Sequence, residues 1–409
     1  MLVLTLNAGS STQKCCLWRL PDHSLWQAQA DWTQQPGHVV VHLSTHDTVQ
    51  NLVWEETERS QVLRRLLATL TDGERAVLSD LSDIDAVAHR VVHGGCLYTE
   101  PTRVTPQVIV QIRALAELAP LHNPVNAAGI EAMEQVLGSG IPQVAVFDTA
   151  FHQTLPAAAY TYPIPKSWTA RGMRRYGFHG ISHRYVAEQT GQVLERDWTS
   201  LNLITAHLGN GCSLAAIRGG QSVDTTMGYT PLDGVMMGTR PGALDPGLLL
   251  HWWRQGHTLA QVDHLLHHES GLLGVSGVGA DLRQVLAGQS AGDPDCDLAI
   301  QVYVQRLRAG IGAMLASVGA LDALVFTAGV GENSPLIRAL VCQDWPCLGM
   351  ELDQGLNATT FGQDRLISAA GSRVAVVVIH TREDLAMAQA CGAVLGFPAV
   401  SVTPRSDTD

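Results

Sequence analysis

Short apolar runs separated by turn residues predict two hairpins of the same kind, far apart in the chain. The first joins strands over residues 2–6 and 14–20 through the turn N-A-G-S-S-T. The second joins strands over residues 201–208 and 213–217 through G-N-G, and a further strand follows Gly219-Gly220. Two separated hairpins of one design indicate a duplicated architecture.

A helical region and then a buried strand follow each hairpin, and each such strand runs into small or polar residues. These strands are predicted over residues 143–147, before D-T-A, and 323–327, before the glycine loop A-G-V-G-E-N-S. Helical spacing predicts helices over 55–70 and 297–319, whereas the segment 21–80 is otherwise the least informative. Strand–loop–helix units place ligands at the carboxyl ends of the strands, so we expect an α/β fold with its site there.

The composition is that of a folded protein with more than one domain. At roughly 100–200 residues per domain, 409 residues predict two or three domains. With 46% hydrophobic and 16% charged residues, the chain is not expected to be disordered. The longest apolar runs, such as residues 374–379, are too short to span a bilayer, and no signal peptide is expected. The last nine residues predict a frayed acidic tail.

Charge and cysteine content narrow the class of partner. With 26 basic and 38 acidic residues the formal charge is −12, which disfavours nucleic acid and anionic membranes as partners. An anionic small substrate would need a local cluster of Arg, His and backbone N–H groups. The eight cysteines form no C-x-x-C pair, so we expect free thiols and a cytoplasmic location.

Glycine turns and basic clusters supply such groups. In the first turn, backbone N–H groups and the hydroxyls of Ser10, Ser11 and Thr12 can cradle an oxyanion. Positive charge comes from H-R-V-V-H-G-G, R-R-Y-G-F-H-G-I-S-H and G-T-R-P-G. No Walker or Rossmann phosphate motif occurs. Three glycine turns in a duplicated chain would suit a nucleotide whose phosphates lie between two domains.

Eight of these stretches together resemble the acetate kinase (acetokinase) family. They are N-A-G-S-S-T-Q-K, H-R-V-V-H-G-G, F-D-T-A-F-H, R-R-Y-G-F-H-G-I-S-H, H-L-G-N-G-C-S, D-T-T-M-G-Y-T-P-L-D-G-V-M-M-G-T-R, S-G-L-L-G-V-S-G and A-G-V-G-E-N-S. Their order and approximate spacing match from residue 2 to about residue 396. The resemblance implies a duplicated actin-like ATPase fold, shared with sugar kinases and heat-shock ATPases, with a nucleotide cleft between two domains. It also implies ATP and acetate as substrates, Mg²⁺ or alternatively Mn²⁺, and a homodimer.

The resemblance also implies which residues carry the chemistry. Arg90 is expected to hold the substrate carboxylate, Asp148 to be the catalytic aspartate, and His179 and Arg240 to steady the transferring phosphoryl group. A carboxylate nucleophile with a pKa near 4 is already ionised and needs no general base. Two interpretations of Asp148 therefore stay open: proton abstraction, or orientation of Arg240 or a metal-bound water. Catalysis should rest mainly on positioning and charge stabilisation.

The remaining site residues follow from the same motifs. Asn7 and Glu383 are expected to hold the metal, although Arg382 and Pro241 depart from the family pattern. An apolar pocket for the methyl group is expected from Val92, Leu121, Phe178 and Pro231. Nucleotide contacts are expected from Lys14, His207, Leu208, Gly209, Asn210, Gly211, Asp281, Leu282, Arg283, Gly329, Val330, Gly331, Glu332 and Asn333.

These expectations leave alternatives open. A first domain is expected over residues 1–150 with a returning C-terminal helix at 383–409. A second is expected over 151–382, with most nucleotide loops and the dimer interface. The leading hypothesis is acetate kinase, reversibly forming acetyl phosphate and ADP by direct in-line displacement. The alternatives are propionate kinase, since one methylene is worth only about 1–3 kcal/mol, and a non-metabolic ATPase of the shared fold.

Overall fold

The computed structural model describes residues 1–9, 11–45, 48–73, 76–345, 347–359 and 362–397. Ser10 of the first turn and the predicted tail over 401–409 lie outside these residues. The described chain divides into two compact units. Unit 1 comprises Met1–Ala150 and the described residues from Arg382 onward, and unit 2 comprises Phe151–Thr381.

Fourteen strands occur in the described residues. They are β1 (Leu2–Ala8), β2 (Thr12–Arg19), β3 (His23–Asp31), β4 (Val39–Thr45), β5 (Thr48–Trp54), β6 (Ala86–Val91), β7 (Thr102–Arg103), β8 (Gln143–Phe147), β9 (Asn202–Leu208), β10 (Cys212–Arg218), β11 (Gln221–Thr225), β12 (Ala323–Thr327), β13 (Arg365–Leu366) and β14 (Ala375–Val378).

The described α-helices number fifteen. They are α1 (Arg59–Ala68), α2 (Pro106–Ala114), α3 (Asn123–Leu137), α4 (Ala157–Tyr160), α5 (Lys166–Thr169), α6 (Gly180–Val193), α7 (Pro246–Arg254), α8 (Leu259–His268), α9 (Gly271–Ser276), α10 (Leu282–Ser290), α11 (Pro294–Val318), α12 (Ala328–Asn333), α13 (Pro335–Cys342), α14 (Gln354–Ala358) and α15 (Glu383–Val394). Short 3₁₀ helices cover Leu81–Asp83, Leu115–Glu117, Ala150–Thr154 and Trp198–Ser200. No described helix combines the length and the apolar composition that a membrane crossing requires.

The sheet of unit 1 has the order β5-β4-β3-β2-β1-β6-β8-β7. β1 pairs antiparallel with β2 and parallel with β6, and β6 pairs parallel with β8. The core lies where α1 and α3 pack on this sheet, with Leu66 and Met133 among the residues buried against Leu4 and Leu17. α15 returns to β1 and β6. The carboxyl ends of the three parallel strands therefore lie side by side at one edge.

Strands β3, β4 and β5 lie within the segment 21–80, whose residue pattern predicts little. In β5 the apolar Val49 and Val53 are 77% and 55% exposed, whereas the polar Gln50 is less exposed. Because Val49 and Val53 lie on the solvent face while Leu52 and Trp54 lie on the core face, apolar and polar residues do not alternate cleanly and the pattern does not reveal the strand. The helix predicted over 55–70 is shorter in the structure, where α1 begins at Arg59.

The sheet of unit 2 repeats the arrangement of unit 1. Its order is β11-β10-β9-β12-β14-β13, with β9, β12 and β14 parallel and the other neighbours antiparallel. In unit 1, β3-β2-β1-β6-β8-β7 shows the same succession of antiparallel and parallel pairs. The predicted duplication of an α/β fold is thus confirmed.

Two helices cover opposite faces of the β9–β10 hairpin. α11 contacts the face of Leu214, where a side chain on Gly310 would meet the Leu214 side chain at 2.7 Å. α6 covers the other face, on which Ser213 contacts His183. α11 begins three residues before the predicted 297 because Asp293 caps it, accepting from the N–H groups of residues 295 and 296.

Candidate active site

The parallel strands of unit 1 carry three predicted site residues at their carboxyl ends. Asn7 lies near the end of β1, Arg90 lies within β6, and Asp148 directly follows β8. The motif H-R-V-V-H therefore begins within strand β6. Lys14 lies on β2 directly opposite Asn7, with its side chain exposed.

Arg90 and Asp148 form the charged centre of this edge. Nε of Arg90 donates to both Asp148 oxygens at 3.1 and 3.0 Å, Nη2 donates to Oδ2, and Asp148 is 1% exposed. Nη1 donates to Oδ1 of Asn7 at 3.3 Å. Burial lowers the pKa of Arg90, but the charges of Asp148 and Glu383 outweigh burial and hold that pKa above its usual range. Asp148 therefore fixes the Nε edge of a permanently charged guanidinium.

Glu383 begins α15 and acts electrostatically on Arg90, as Asp148 does. This edge thus gathers the amide oxygen of Asn7 and two carboxylates, the donor types that Mg²⁺ prefers. Among the described residues, no group of three or more His, Cys, Asp or Glu side chains is arranged to hold a metal ion. The residues fit an ion that keeps water and substrate phosphates as further ligands.

Two buried asparagines of α3 fix the backbone beside this centre. Asn126 donates to the carbonyl of Ala8 at 2.9 Å and accepts from the N–H of Val92 at 3.0 Å. Asn123 makes the corresponding bonds to the N–H and carbonyl of His93, at 3.1 and 2.9 Å. Sequence reasoning missed both, because neutral amides with backbone partners carry no charge pattern.

In unit 2, His179 lies beside a second charged group. Its ring stacks on His207, with centroids 4.2 Å apart, and its Nδ1 lies 2.8 Å from Oγ of Ser213. A Cβ on Gly211 would lie 2.7 Å from Nη2 of Arg240 and 3.4 Å from Nε2 of His179. Only glycine leaves room there, so the ring edge and the guanidinium share one small space.

His179 reaches this position through an unusual backbone conformation. It is the N-cap of α6 with φ 55° and ψ 24°, in the left-handed region. A non-glycine residue in that region costs roughly 1–2 kcal/mol. Nη1 of Arg240 donates to the carbonyl of Pro231 at 2.7 Å, which fixes the guanidinium from the opposite side.

The structure brings together the three stretches for which nucleotide contacts are predicted, which are residues 207–211, 329–333 and 281–283. β9 and β12 are parallel neighbours with His207 aligned to Thr327, so the turn 208–211 adjoins the start of α12. The Cβ of Ala328 lies 3.8 Å from where one on Gly209 would be. A Cβ on Gly238 would lie 2.1 Å from Oδ1 of Asn210 and 3.0 Å from the carbonyl of residue 280, just before the third stretch.

Details within these stretches differ from expectation. The glycine loop predicted over 329–334 is helix α12 as far as Asn333, not a loop. Glu332 accepts from the N–H of Thr381 at 3.0 Å and pairs with His380. Asp281 is the N-cap of α10 and is ion-paired with the exposed Arg283.

The four predicted pocket residues divide between the units. Val92 of unit 1 and Phe178 of unit 2 are buried, Pro231 is half-buried, and Leu121 is 53% exposed. The carbonyl of Phe178 lies 3.0 Å from Nε2 of the buried His152. Their common function as a pocket stays a prediction.

Guanidinium and imidazole groups beside glycine turns, at the strand ends of a duplicated α/β fold, are features of phosphoryl-transferring enzymes. The class defined here is a kinase. More particularly, the chain belongs to the acetokinase family, whose family model matches residues 2–389.

Individual relatives agree with this assignment over nearly the whole chain. A protein of Gloeobacter violaceus named acetate kinase is 52% identical over 400 residues, covering 96% of this chain and 98% of its own. The crystal structure of Porphyromonas gingivalis acetate kinase has a TM-score of 0.90 at 39% identity, covering 96% of this chain and 99% of its own. A propionate kinase from Francisella tularensis has a TM-score of 0.88 at 35% identity, with the same coverage.

Proposed function

We propose that the protein transfers the γ-phosphoryl group of ATP to acetate, reversibly, giving acetyl phosphate and ADP. The observation that carries the proposal is the geometry of Arg90. Asp148 accepts from Nε and Nη2 and Asn7 accepts from Nη1, so a substrate carboxylate would bind the second N–H of each terminal nitrogen through a planar fork. Relatives named acetate kinase support acetate as that carboxylate.

The proposed step is a direct in-line displacement. An acetate oxygen forms a bond to the γ-phosphorus while the bond to the β–γ bridging oxygen breaks, and ADP leaves with that electron pair. Since acetate is already ionised, Asp148 need not remove a proton, and its contacts with Arg90 support an orienting function. His179 and Arg240 would offset the charge that develops on the phosphoryl oxygens.

Asn7 and Glu383 would hold Mg²⁺, or Mn²⁺ as the alternative. Such an ion, when bound, supplies positive charge to the phosphate oxygens. We expect Glu383→Gln to raise severalfold the Mg²⁺ concentration needed for half-maximal rate. Asp384→Asn is the matched control, because that neighbouring carboxylate accepts from the N–H of Leu385. Equal Mg²⁺ titrations for both variants would remove Glu383 from the metal site.

Formation of acyl phosphate tests the reaction directly. The purified protein with ATP, Mg²⁺ and hydroxylamine should form acetyl hydroxamate. Arg90→Ala should mainly raise the KM for acetate. Arg240→Ala should lower kcat by roughly 10²–10³-fold, because its partner charge develops in the transition state. Near-normal kinetics in both variants would refute the site, and absence of any hydroxamate would refute the function.

Propionate is the second candidate, favoured by the similarity to a propionate kinase. We expect propionate to be used less well than acetate, and butyrate poorly, because a tight apolar wall resists extra methylenes. Val92→Ala should shift kcat/KM toward propionate by roughly tenfold or less. A thermal melt distinguishes this change from simple loss of core packing. A wild type that prefers propionate would replace acetate in the proposal.

A homodimer and a cytoplasmic location complete the proposal. α7 has no buried residue, yet it carries Leu248, Leu250 and Trp253, exposed by 41%, 47% and 44%. Because α7 leaves large apolar side chains exposed on several sides, we propose a second copy of the chain as the partner that covers them. Sedimentation should show a dimer, and Trp253→Glu should yield monomer. A wild-type monomer would refute this interface.

A further inference from the structure

One face of the β9–β10 hairpin carries three polar side chains, and two histidines of α6 lie over it. Thr205 and His207 are two residues apart on β9, so they point to the same face. Ser213 pairs directly opposite His207 on β10 and shares that face. His179 caps α6, and His183 lies one helical turn further along the same helix side.

Four of these side chains, those of His179, Ser213, His183 and Thr205, form a continuous series of hydrogen bonds. Oγ of Ser213 lies 2.8 Å from Nδ1 of His179 and 2.7 Å from Nε2 of His183. Nδ1 of His183 lies 2.7 Å from Oγ1 of Thr205. Thr205, His183 and Ser213 are fully buried. These three members of the hydrogen-bonded series are therefore closed to solvent.

The number of hydrogen atoms available allows only two directions for the hydrogen bonds in this series. A serine hydroxyl has one hydrogen, so Ser213 donates to one ring nitrogen and accepts from the other. Burial, with lesser contributions from His152 and His207, holds the pKa of His183 well below its usual value. A neutral His183 has a single N–H, which points either to Ser213 or to Thr205.

Thr205 decides between the two arrangements. Within the described part of the chain, its hydroxyl has no hydrogen-bond partner other than His183. If Thr205 accepted from His183, its own buried O–H would lack an acceptor, which is unfavourable. Thr205 therefore donates to Nδ1 of His183, and Nε2–H of His183 donates to Ser213. The hydroxyl of Ser213 is left to donate to Nδ1 of His179.

We propose that Ser213 is a positioning residue that keeps the proton of the neutral His179 ring on Nε2. Nε2 of His179 shares the space over Gly211 with Nη2 of Arg240. It thus presents an N–H donor beside the guanidinium, where a phosphoryl oxygen would be bound. The effect on catalysis rests on the proposed function, whereas the ring tautomer does not.

Histidine ring NMR reads the tautomer without any reaction. Protein labelled with ¹⁵N in histidine should show His179 protonated at Nε2, its signals being identified by their loss in His179→Gln. Ser213→Ala should bring the two ring nitrogen shifts toward each other, because neither tautomer is then enforced. Protonation at Nδ1 in the wild type, or an unchanged tautomer ratio in Ser213→Ala, would overturn the proposal.

Kinetics with matched threonine variants test the catalytic consequence. Ser213→Ala should lower kcat roughly tenfold with KM values for acetate and ATP changed less than about twofold. Thr205→Val should act in the same direction, and Thr205→Ser should restore wild-type behaviour. Thr190→Val is the control, since this buried hydroxyl of α6 donates to the carbonyl of Val186 and, within the described residues, has no hydrogen bond to a histidine.

The outcomes separate the two proposals. A wild type that forms no acyl phosphate with any carboxylate refutes the proposed function, while the NMR result still decides the tautomer. An active wild type with unchanged kcat in Ser213→Ala overturns the positioning function. Equal losses in Thr205→Val and Thr190→Val, with equal fall in melting temperature, would show a packing effect and also overturn it.

Discussion

Asn126 links two segments of unit 1 through one buried side chain. Its partners, the carbonyl of Ala8 and the N–H of Val92, lie within two residues of Asn7 and Arg90. Because the amide bridges both backbones, it sets the separation at which the side chains of those two residues meet. A residue that touches no substrate can thus determine how a substrate carboxylate is held.

Asn126→Ala should weaken acetate binding as well as stability. Loss of both bonds leaves a buried N–H and carbonyl unpaired, at a cost of about 3 kcal/mol in unfolding free energy. The KM for acetate should rise severalfold, measured beside urea unfolding. Asn123→Ala should cost similar stability, since Asn123 also bonds the carbonyl of Ile112 in α2. Equal rises in KM for both variants would contradict a specific function of Asn126.

The charged groups of the candidate site lie in motifs that the sequence already singles out, whereas the neutral side chains that support them do not. Arg90 and Arg240 lie in recognisable motifs, and a cation in a net-acidic chain is informative. Asn126 and Ser213 act through partners that only the fold brings near. A buried amide or hydroxyl has the same sequence signature wherever it binds. The site's chemistry is therefore easier to predict than its geometry.

Among the helices, α12 depends on a buried arginine from α13. Nη1 of Arg338 donates to the carbonyls of Gly331 and Glu332, each at 2.8 Å, and Nε donates to Oδ1 of Asn357 at 2.8 Å. Burial, with a lesser effect of Arg365, lowers the pKa of Arg338 to about 10, so it stays charged at neutral pH. Among the described residues it has no carboxylate ion-pair partner, and backbone carbonyls supply its main stabilisation.

Removal of this guanidinium should loosen the nucleotide stretch. Arg338→Met should cost about 3 kcal/mol of unfolding free energy, because it leaves buried carbonyls without donors. The KM for ATP should rise while that for acetate changes little. The control is Arg308→Met, because this less buried arginine donates to the carbonyl of Leu340. Unchanged ATP kinetics in a folded Arg338→Met protein would contradict the link to α12.

The element predictions succeeded where burial and pattern agree. Strands over 143–147 and 323–327 match β8 and β12, since each has a buried run of four apolar residues. The prediction of a loop over 329–334 was wrong; it followed from the two glycines, which normally disfavour a helix. Contacts from Arg338, distant from that segment's own pattern, stabilise α12 instead. Such tertiary support has no local signal.

Buried neutral histidines couple the stability of the whole molecule to pH. Burial lowers the pKa of His89, His93 and His152 to about 4 each. In the unfolded chain these rings have pKa values near 6.5, so the unfolded state binds more protons between pH 4 and 6.5. Their contribution is fully present above about pH 6.5 and is lost as pH falls toward 4. Each can contribute about 3 kcal/mol.

The urea midpoint should accordingly fall steeply between pH 6.5 and 4.5. His152→Gln should reduce this dependence, because one buried titrating ring is removed, although the variant loses some stability at every pH. His257→Gln, at an exposed position, should leave the slope unchanged. Identical slopes for the wild type and His152→Gln would show that His152 is not neutral in the folded protein.

Duplication was the feature of the whole molecule that sequence predicted best. Two hairpins with glycine turns sufficed, because each hairpin begins a sheet of the same order. The strands β3–β5 and the antiparallel pairing of β13 with β14 could not be predicted. Their short or inverted patterns acquire meaning only beside neighbouring strands.

The left-handed backbone of His179 has a practical consequence for laboratory evolution. A selection for heat resistance alone would favour glycine at position 179, because glycine adopts that conformation without strain. The same substitution would delete the ring that faces Arg240. Libraries screened for thermal tolerance should therefore keep codon 179 fixed, or alternate with rounds of screening for turnover.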